Sequence, residues 1–217
     1  MTPEYVQYGC GLSCPDGWLN FDASPRLRLE RLPFVSRAFE ASGTRLFPKN
    51  VRYGDIVRGL PVPEGCARAV YCSHVLEHID RESVIIALEN TYRMLRPDGV
   101  FRLVVPDLAW RAEEFLRARD RGDSNAADEF IRKAHLGQGN AATGFIRRMC
   151  RVFGNSDHRW MYDEAAMTAL LAQTGFVSIR RCRFGDAEDP IFALVEDEGR
   201  FVDTGRDELA LEARRPC

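Results

Sequence analysis

The chain predicts an α/β fold built on a mostly parallel sheet. Two observations carry this. Short apolar runs (Tyr5–Tyr8, Trp18–Asp22, Val51–Ile56, Ala69–Cys72, Val100–Asp107) alternate with segments of helical spacing or tight turns. Small, polar or acidic residues also stand at or just past the ends of these runs: Gly9, Asp22, Asp55 and Ser73. In open parallel sheets, ligands bind just outside the carboxyl ends of the strands.

Composition sets the outer limits. The 217 residues are 45% hydrophobic and 29% charged, enough for one packed domain and too apolar for general disorder. We therefore expect a single domain over 1–217 with a helical insertion at about 108–160. A net charge of −2 gives no basic footprint for nucleic acid. No apolar run reaches the ~18 residues that suggest a membrane span. The start, Met1-Thr2-Pro3-Glu4-Tyr5, lacks signal-peptide character. Seven cysteines without a C-x-x-C pair fit reduced thiols. A cytoplasmic protein with neither a nucleic-acid nor a membrane partner is expected; the oligomeric state is not legible.

Taken in order, Tyr5–Tyr8 is a short buried strand broken by Gly9-Cys10-Gly11, and Trp18–Asp22 is a second strand ending in a carboxylate. Pro25–Ala41 has helical spacing, with Pro33 able to split it. Val51–Ile56 is the third strand and Ala69–Cys72 the fourth. Asp80 suits the N-cap of the next helix, with Ile79 and Val84 as its hydrophobic staple. Pro97-Asp98-Gly99 should end that helix and turn into the fifth strand. Helices are then expected at Leu108–Arg119, Ala126–Leu136 and Phe145–Phe153, with a Gly137-Gln138-Gly139-Asn140 loop before the last. Asp163 caps a further helix that Gly175 closes. Phe176–Arg183 and Glu208–Ala213 are the last strands.

The chemistry gathers at the strand ends. Glycines at 9 and 11 let backbone approach a ligand and aim N–H groups at it. Asp22 is placed to accept hydrogen bonds from both ribose hydroxyls; capping the segment at Pro25 is its other use. A dinucleotide fold sets this acid about 20 residues past the glycines, yet Asp22 follows Gly11 by eleven. A full crossover helix barely fits, so the helix N-terminus that holds a pyrophosphate should be missing. A ribose-bearing cofactor without phosphate suits this better than a dinucleotide. Asp55 with Ile56 suits an adenine, the carboxylate taking the amine and the isoleucine the ring.

His74-x-x-Glu77-His78 has a second reading, as an H-x-x-E-H zinc hydrolase signature. That signature needs both histidines on one helical face. The Asp80 cap leaves them ahead of the helix, so no metal ligand is expected and His78 reads as structural.

Together these motifs resemble the class I S-adenosylmethionine-dependent methyltransferases, in the subgroup with a shortened first crossover. The resemblance rests on Gly9-Cys10-Gly11, Gly17-Trp18-Leu19-Asn20-Phe21-Asp22, Gly54-Asp55-Ile56, Leu60-Pro61, Ser73-His74-Val75-Leu76-Glu77-His78, Leu95-Arg96-Pro97-Asp98-Gly99, His158–Asp163 and Thr174-Gly175-Phe176. It implies a Rossmann-like seven-stranded sheet, last strand antiparallel, helices on both faces. It implies S-adenosylmethionine as cofactor: Gly9, Cys10 and Gly11 at the methionine moiety, Asp22 at the ribose, Asp55 and Ile56 at the adenine, Ser73 and His74 near the reacting methyl. The acceptor is expected to be a small molecule methylated on O or N. His74 and His158 are the candidate catalytic bases, Trp160 and Tyr162 candidate walls of the acceptor site, and Asp107 another crevice-facing group. Three features depart from the pattern: Gln7 stands where an acid is common, a third motif glycine is absent, and Arg102 sits in a strand that is usually apolar. A zinc-dependent hydrolase and a non-catalytic module of this fold are the alternatives.

Overall fold

In the computed structural model, residues 4–32, 35, 41, 46–136 and 158–217 are described. Strands β1 (Tyr5–Tyr8), β2 (Leu19–Asp22), β3 (Val51–Tyr53), β4 (Ala67–Ser73), β5 (Leu95–Val105), β6 (Val177–Arg181) and β9 (Leu209–Arg214) form one seven-stranded sheet in the order β3-β2-β1-β4-β5-β9-β6. The first five pair in parallel. β9 runs antiparallel between β5 and β6. A small hairpin, β7 (Val202–Asp203) with β8 (Arg206–Asp207), stands apart.

Strand periodicity sorts the core into two layers. Val70 and Cys72 of β4 join Val6, Tyr8, Phe101, Leu103 and Leu211 in a cluster under helices α2 (Arg81–Met94) and α5 (Glu164–Thr174). Their neighbours Ala69 and Tyr71 belong to a second cluster with Val104 and Ala210. Residues two apart share a face of a strand, so this division follows from the pleat. The second cluster is covered by Phe192 and Val195, by the 3₁₀ turn Pro190–Leu194 and by Phe201 of the short helix α6 (Glu198–Phe201). None of these covering elements was legible beforehand.

Helix boundaries follow their caps. Asp80 Oδ1 accepts from Ser83 N at 2.9 Å and starts α2. Asp163 Oδ1 accepts from Ala166 N at 2.8 Å and starts α5, which Gly175 ends in the left-handed conformation. α1 covers only Pro25–Glu30, capped by Ser24; most of the stretch from Pro33 to Ala41 lies outside the described residues. α3 (Leu108–Asp120) and α4 (Ala126–Lys133) match the expected helices. The Gly137–Asn140 loop and the Phe145–Phe153 helix lie outside the described residues.

Two expectations need correction. β3 stops at Tyr53, and Asp55 instead caps a 3₁₀ turn, Ile56–Arg58, accepting from Val57 N at 3.0 Å. The Pro97-Asp98-Gly99 segment is not a turn between helix and strand. α2 passes directly into β5 at Leu95, where the chain pairs with Ala67 and then shifts register. A Cβ on Gly99 would stand 2.8 Å from the Arg96 carbonyl and 3.0 Å from the Ala67 carbonyl, so only glycine fits this irregularity.

Candidate active site

A cleft of about 440 Å³ opens at the carboxyl ends of β1 to β4, where the sheet's strand order reverses. Its walls include Tyr8 and Gly9 from β1, Asp22 and Ser24 after β2, Gly54, Asp55 and Ile56 after β3, and His74, Val75 and His78 after β4. Its size falls in the range of cofactor and small-molecule sites.

Each wall residue is there for a local reason. Gly9 has φ +67°, and a Cβ there would meet Val75 Cγ2 at 2.0 Å. A bare backbone is thus obligatory where β1 enters the cleft. Gly54 is similarly enclosed, with Leu60 Cδ2 and Phe21 Cδ1 each 2.7 Å from a built Cβ. No helix links Gly11 to β2. The shortened crossover instead folds back on Asp22, whose Oδ2 accepts from Gly11 N at 2.9 Å and whose Oδ1 accepts from Ser24 N at 2.7 Å. Asp22 thus buttresses two backbone segments and lines the cleft, while the cap of α1 is Ser24 and not Asp22. Each carboxylate oxygen has a second acceptor lobe. Ile56 is buried beside the half-buried Asp55.

The remaining candidates take other places. Gly11 serves the site through Asp22. The Cys10 side chain packs with Leu27 and Val51, and burial pushes its thiol well above the ordinary value. Ser73 ends β4 but is not part of the cleft wall. Asp107 is 3% exposed and does not line this cleft; its Oδ1 caps α3 through Ala109 N, and its Oδ2 accepts from Arg181 at 3.0 Å. Tyr162 is not a substrate wall either: it is 1% exposed in the core, and an isolated bridge pairs it with Asp107. Trp160 is exposed. Gln7 is buried and lies outside the cleft wall.

The four histidines of the chain gather at the rim around Glu77. His74 has φ +54°. Its Nδ1 is 3.3 Å from Glu77 Oε1, and its Nε2 is 2.9 Å from the Arg200 carbonyl. Burial lowers its pKa, but the Glu77 carboxylate and the Arg200 carbonyl raise it more, so the net shift is upward. His78 Nε2 is 3.9 Å from the same Glu77 oxygen. His158 stacks edge-on to His78 and tilts against His135, with ring centroids 5.0 Å apart in each case. Burial drives its pKa down to about 4, and His78 and His135 push the same way against the pull of Glu77. Backbone bonds from Arg159 N (2.7 Å) and Trp160 N (3.2 Å) to the Glu77 carbonyl strap this segment to the 3₁₀ turn Leu76–His78. Arg200, a cleft residue on α6, was not foreseen, because four residues of helix leave no periodicity to read.

A model of a family described as a methyltransferase domain matches residues 11–180. A SAM-dependent methyltransferase from Archaeoglobus fulgidus has a similar fold: TM-score 0.52, 14% identity, covering 99% of this chain and 86% of that one. A possible histamine N-methyltransferase from Thermotoga maritima is also similar, with TM-score 0.49, 15% identity and coverage of 97% and 81%. No curated protein matches. The chain belongs to the methyltransferase-domain family and has the Rossmann-like fold of the class I enzymes whose cofactor is S-adenosylmethionine.

Proposed function

We propose that this protein methylates an oxygen or nitrogen of a small-molecule acceptor, holding S-adenosylmethionine in the cleft between β1 and β4. The observation that carries the reading is Asp22: a buried carboxylate, fixed by Gly11 and Ser24, at the end of β2 in a cleft with a glycine-only floor. These residues fit the cofactor's ribose and thioether ends, and Asp55 with Ile56 fits its adenine. Bound there, the cofactor supplies an electrophilic methyl on a sulfonium. The protein's own contribution is alignment, which can supply much of the rate of an in-line displacement.

Neither candidate base is well disposed to take a proton. His74 directs both ring nitrogens at acceptors, and His158 does not line the cleft. We therefore read His74 as a positioning residue that ties the rim to α6. The segment 108–160 is read as a cap over the acceptor side of a single domain. Among the described residues no helix is long and apolar enough to cross a membrane. The test is transfer from S-adenosylmethionine carrying a labelled methyl to a panel of small hydroxyl, amine and carboxylate compounds. Label should pass to at least one class and fall to background with Asp22→Ala. Transfer undiminished by that substitution would overturn the site.

A further inference from the structure

We propose that Glu77, His78 and His158 bind a divalent transition-metal ion at the wall of the cleft, leaving an open position for an acceptor oxygen. One candidate ligand atom from each lies within 4.8 Å of the others. The arrangement differs from the H-x-x-E-H signature. His74 and His78 do not pair as ligands; the third partner instead comes from His158, eighty residues along the chain, brought in by the Arg159 and Trp160 strap.

Three features suit an ion. Glu77 is fully buried; its Oε1 faces His74 Nδ1 at 3.3 Å without a well-formed hydrogen bond, and its Oε2 has no hydrogen-bond partner among the described residues. An anion held in that state is costly unless a cation faces it. His158 Nδ1 is 2.8 Å from the Ala134 carbonyl. Donating there fixes the tautomer and leaves Nε2 with its lone pair, the usual backing of a metal-bound histidine. The donor set of two imidazoles and one carboxylate is that of catalytic zinc sites and of related first-row ions; magnesium and calcium prefer oxygen alone.

A tetrahedral ion with bonds of ~2.0–2.1 Å sets its ligands roughly 3.4 Å apart, so closing the present spacing takes about an ångström of side-chain torsion. Three protein ligands leave a fourth position for an outside ligand, and of the three His78 lines the cleft. A hydroxyl coordinated there is acidified by the ion and releases its proton to water, which removes the need for a protein base. This acceptor role rests on the methyltransferase reading; the ion site itself does not.

Chelator-stripped protein titrated with zinc by calorimetry tests the site. One ion per chain is expected, and His78→Ala and His158→Ala should each weaken binding at least about tenfold with the fold intact by melting. Cobalt(II) in place of zinc should give visible bands without an intense near-ultraviolet thiolate band, which separates this site from the cysteines. Absence of stoichiometric binding, binding that survives both substitutions, or a thiolate spectrum would overturn the proposal. S-adenosylhomocysteine is titrated into the same samples. Zinc binding without it leaves the ion site standing and removes the acceptor role; its binding without zinc removes the ion site alone.

Discussion

The floor of the cleft turns on single residues. Gly9 combines a left-handed φ with a side chain packed where its Cβ would be. Gly9→Ala should therefore lower stability by about 1–3 kcal/mol, read as a fall in denaturation midpoint, and should weaken cofactor binding more than stability alone explains. Asp80, by contrast, is a half-buried cap outside the cleft; Asp80→Ala should lower the midpoint of chemical denaturation and leave cofactor affinity unchanged. These residues were legible because their signals are local: a glycine after a strand, an aspartate before a helix. Asp107 was misread because a strand-end position says nothing about which face a side chain takes, and Tyr162 because its chain neighbours say nothing about what it packs against. A bridge between them turns both inward, and Arg181 satisfies the carboxylate.

Among the elements, β5 shows how an unusual residue is accommodated. Arg102 is fully buried, donating to Glu196 Oε1 (2.6 Å), Glu212 Oε2 (2.8 Å), Asp186 Oδ1 (2.9 Å) and the Arg183 carbonyl (2.7 Å). It lies on the sheet face that Phe192 covers, with the guanidinium 5.7 Å from that ring. Arg180 joins the network through Glu212 and Asp186. Arg102→Ala would strand Glu196 without its cation and leave Glu212 with Arg180 alone, and should destabilise by about 3–5 kcal/mol in urea unfolding. The same cluster sets an acid limit. Burial pushes Asp186 up, but Arg102, the Arg183 N–H and Arg180 pull it further down, below the ordinary value of 3.8. A depressed pKa contributes stability that is fully present above the unfolded value and is lost as pH falls through the folded one. Melting temperature should therefore drop more steeply below about pH 4 in the wild type than in Asp186→Asn. Sequence marked Arg102 as out of place but could not supply its partners, which come from segments 81 to 110 residues further on.

At the scale of the molecule, the sheet and its cleft were legible and the cover of one face was not. Five parallel strands announce themselves as apolar runs ending in small or acidic residues. The segment 184–208 folds into a 3₁₀ turn, a four-residue helix and a two-residue hairpin, each too short for periodicity to mark. It is held by long-range ion pairs, such as Arg111 with Glu208 at 2.7 Å and Asp203 at 2.9 Å. The histidine cluster was hidden because long-range backbone bonds assemble it, from Arg159 N and Trp160 N to the Glu77 carbonyl and from His158 N to the His135 carbonyl. The short crossover and Asp22 are proposed to build the cofactor site together. Calorimetric titration of S-adenosylhomocysteine into the wild type and into Asp22→Ala tests it directly. Losing charge-assisted hydrogen bonds worth about 1.5–3 kcal/mol should weaken binding roughly 10- to 150-fold. Saturable one-to-one binding that is weakened in this way is the result expected; no binding by the wild type, or equal binding by both, would rule out Asp22 as part of a cofactor site.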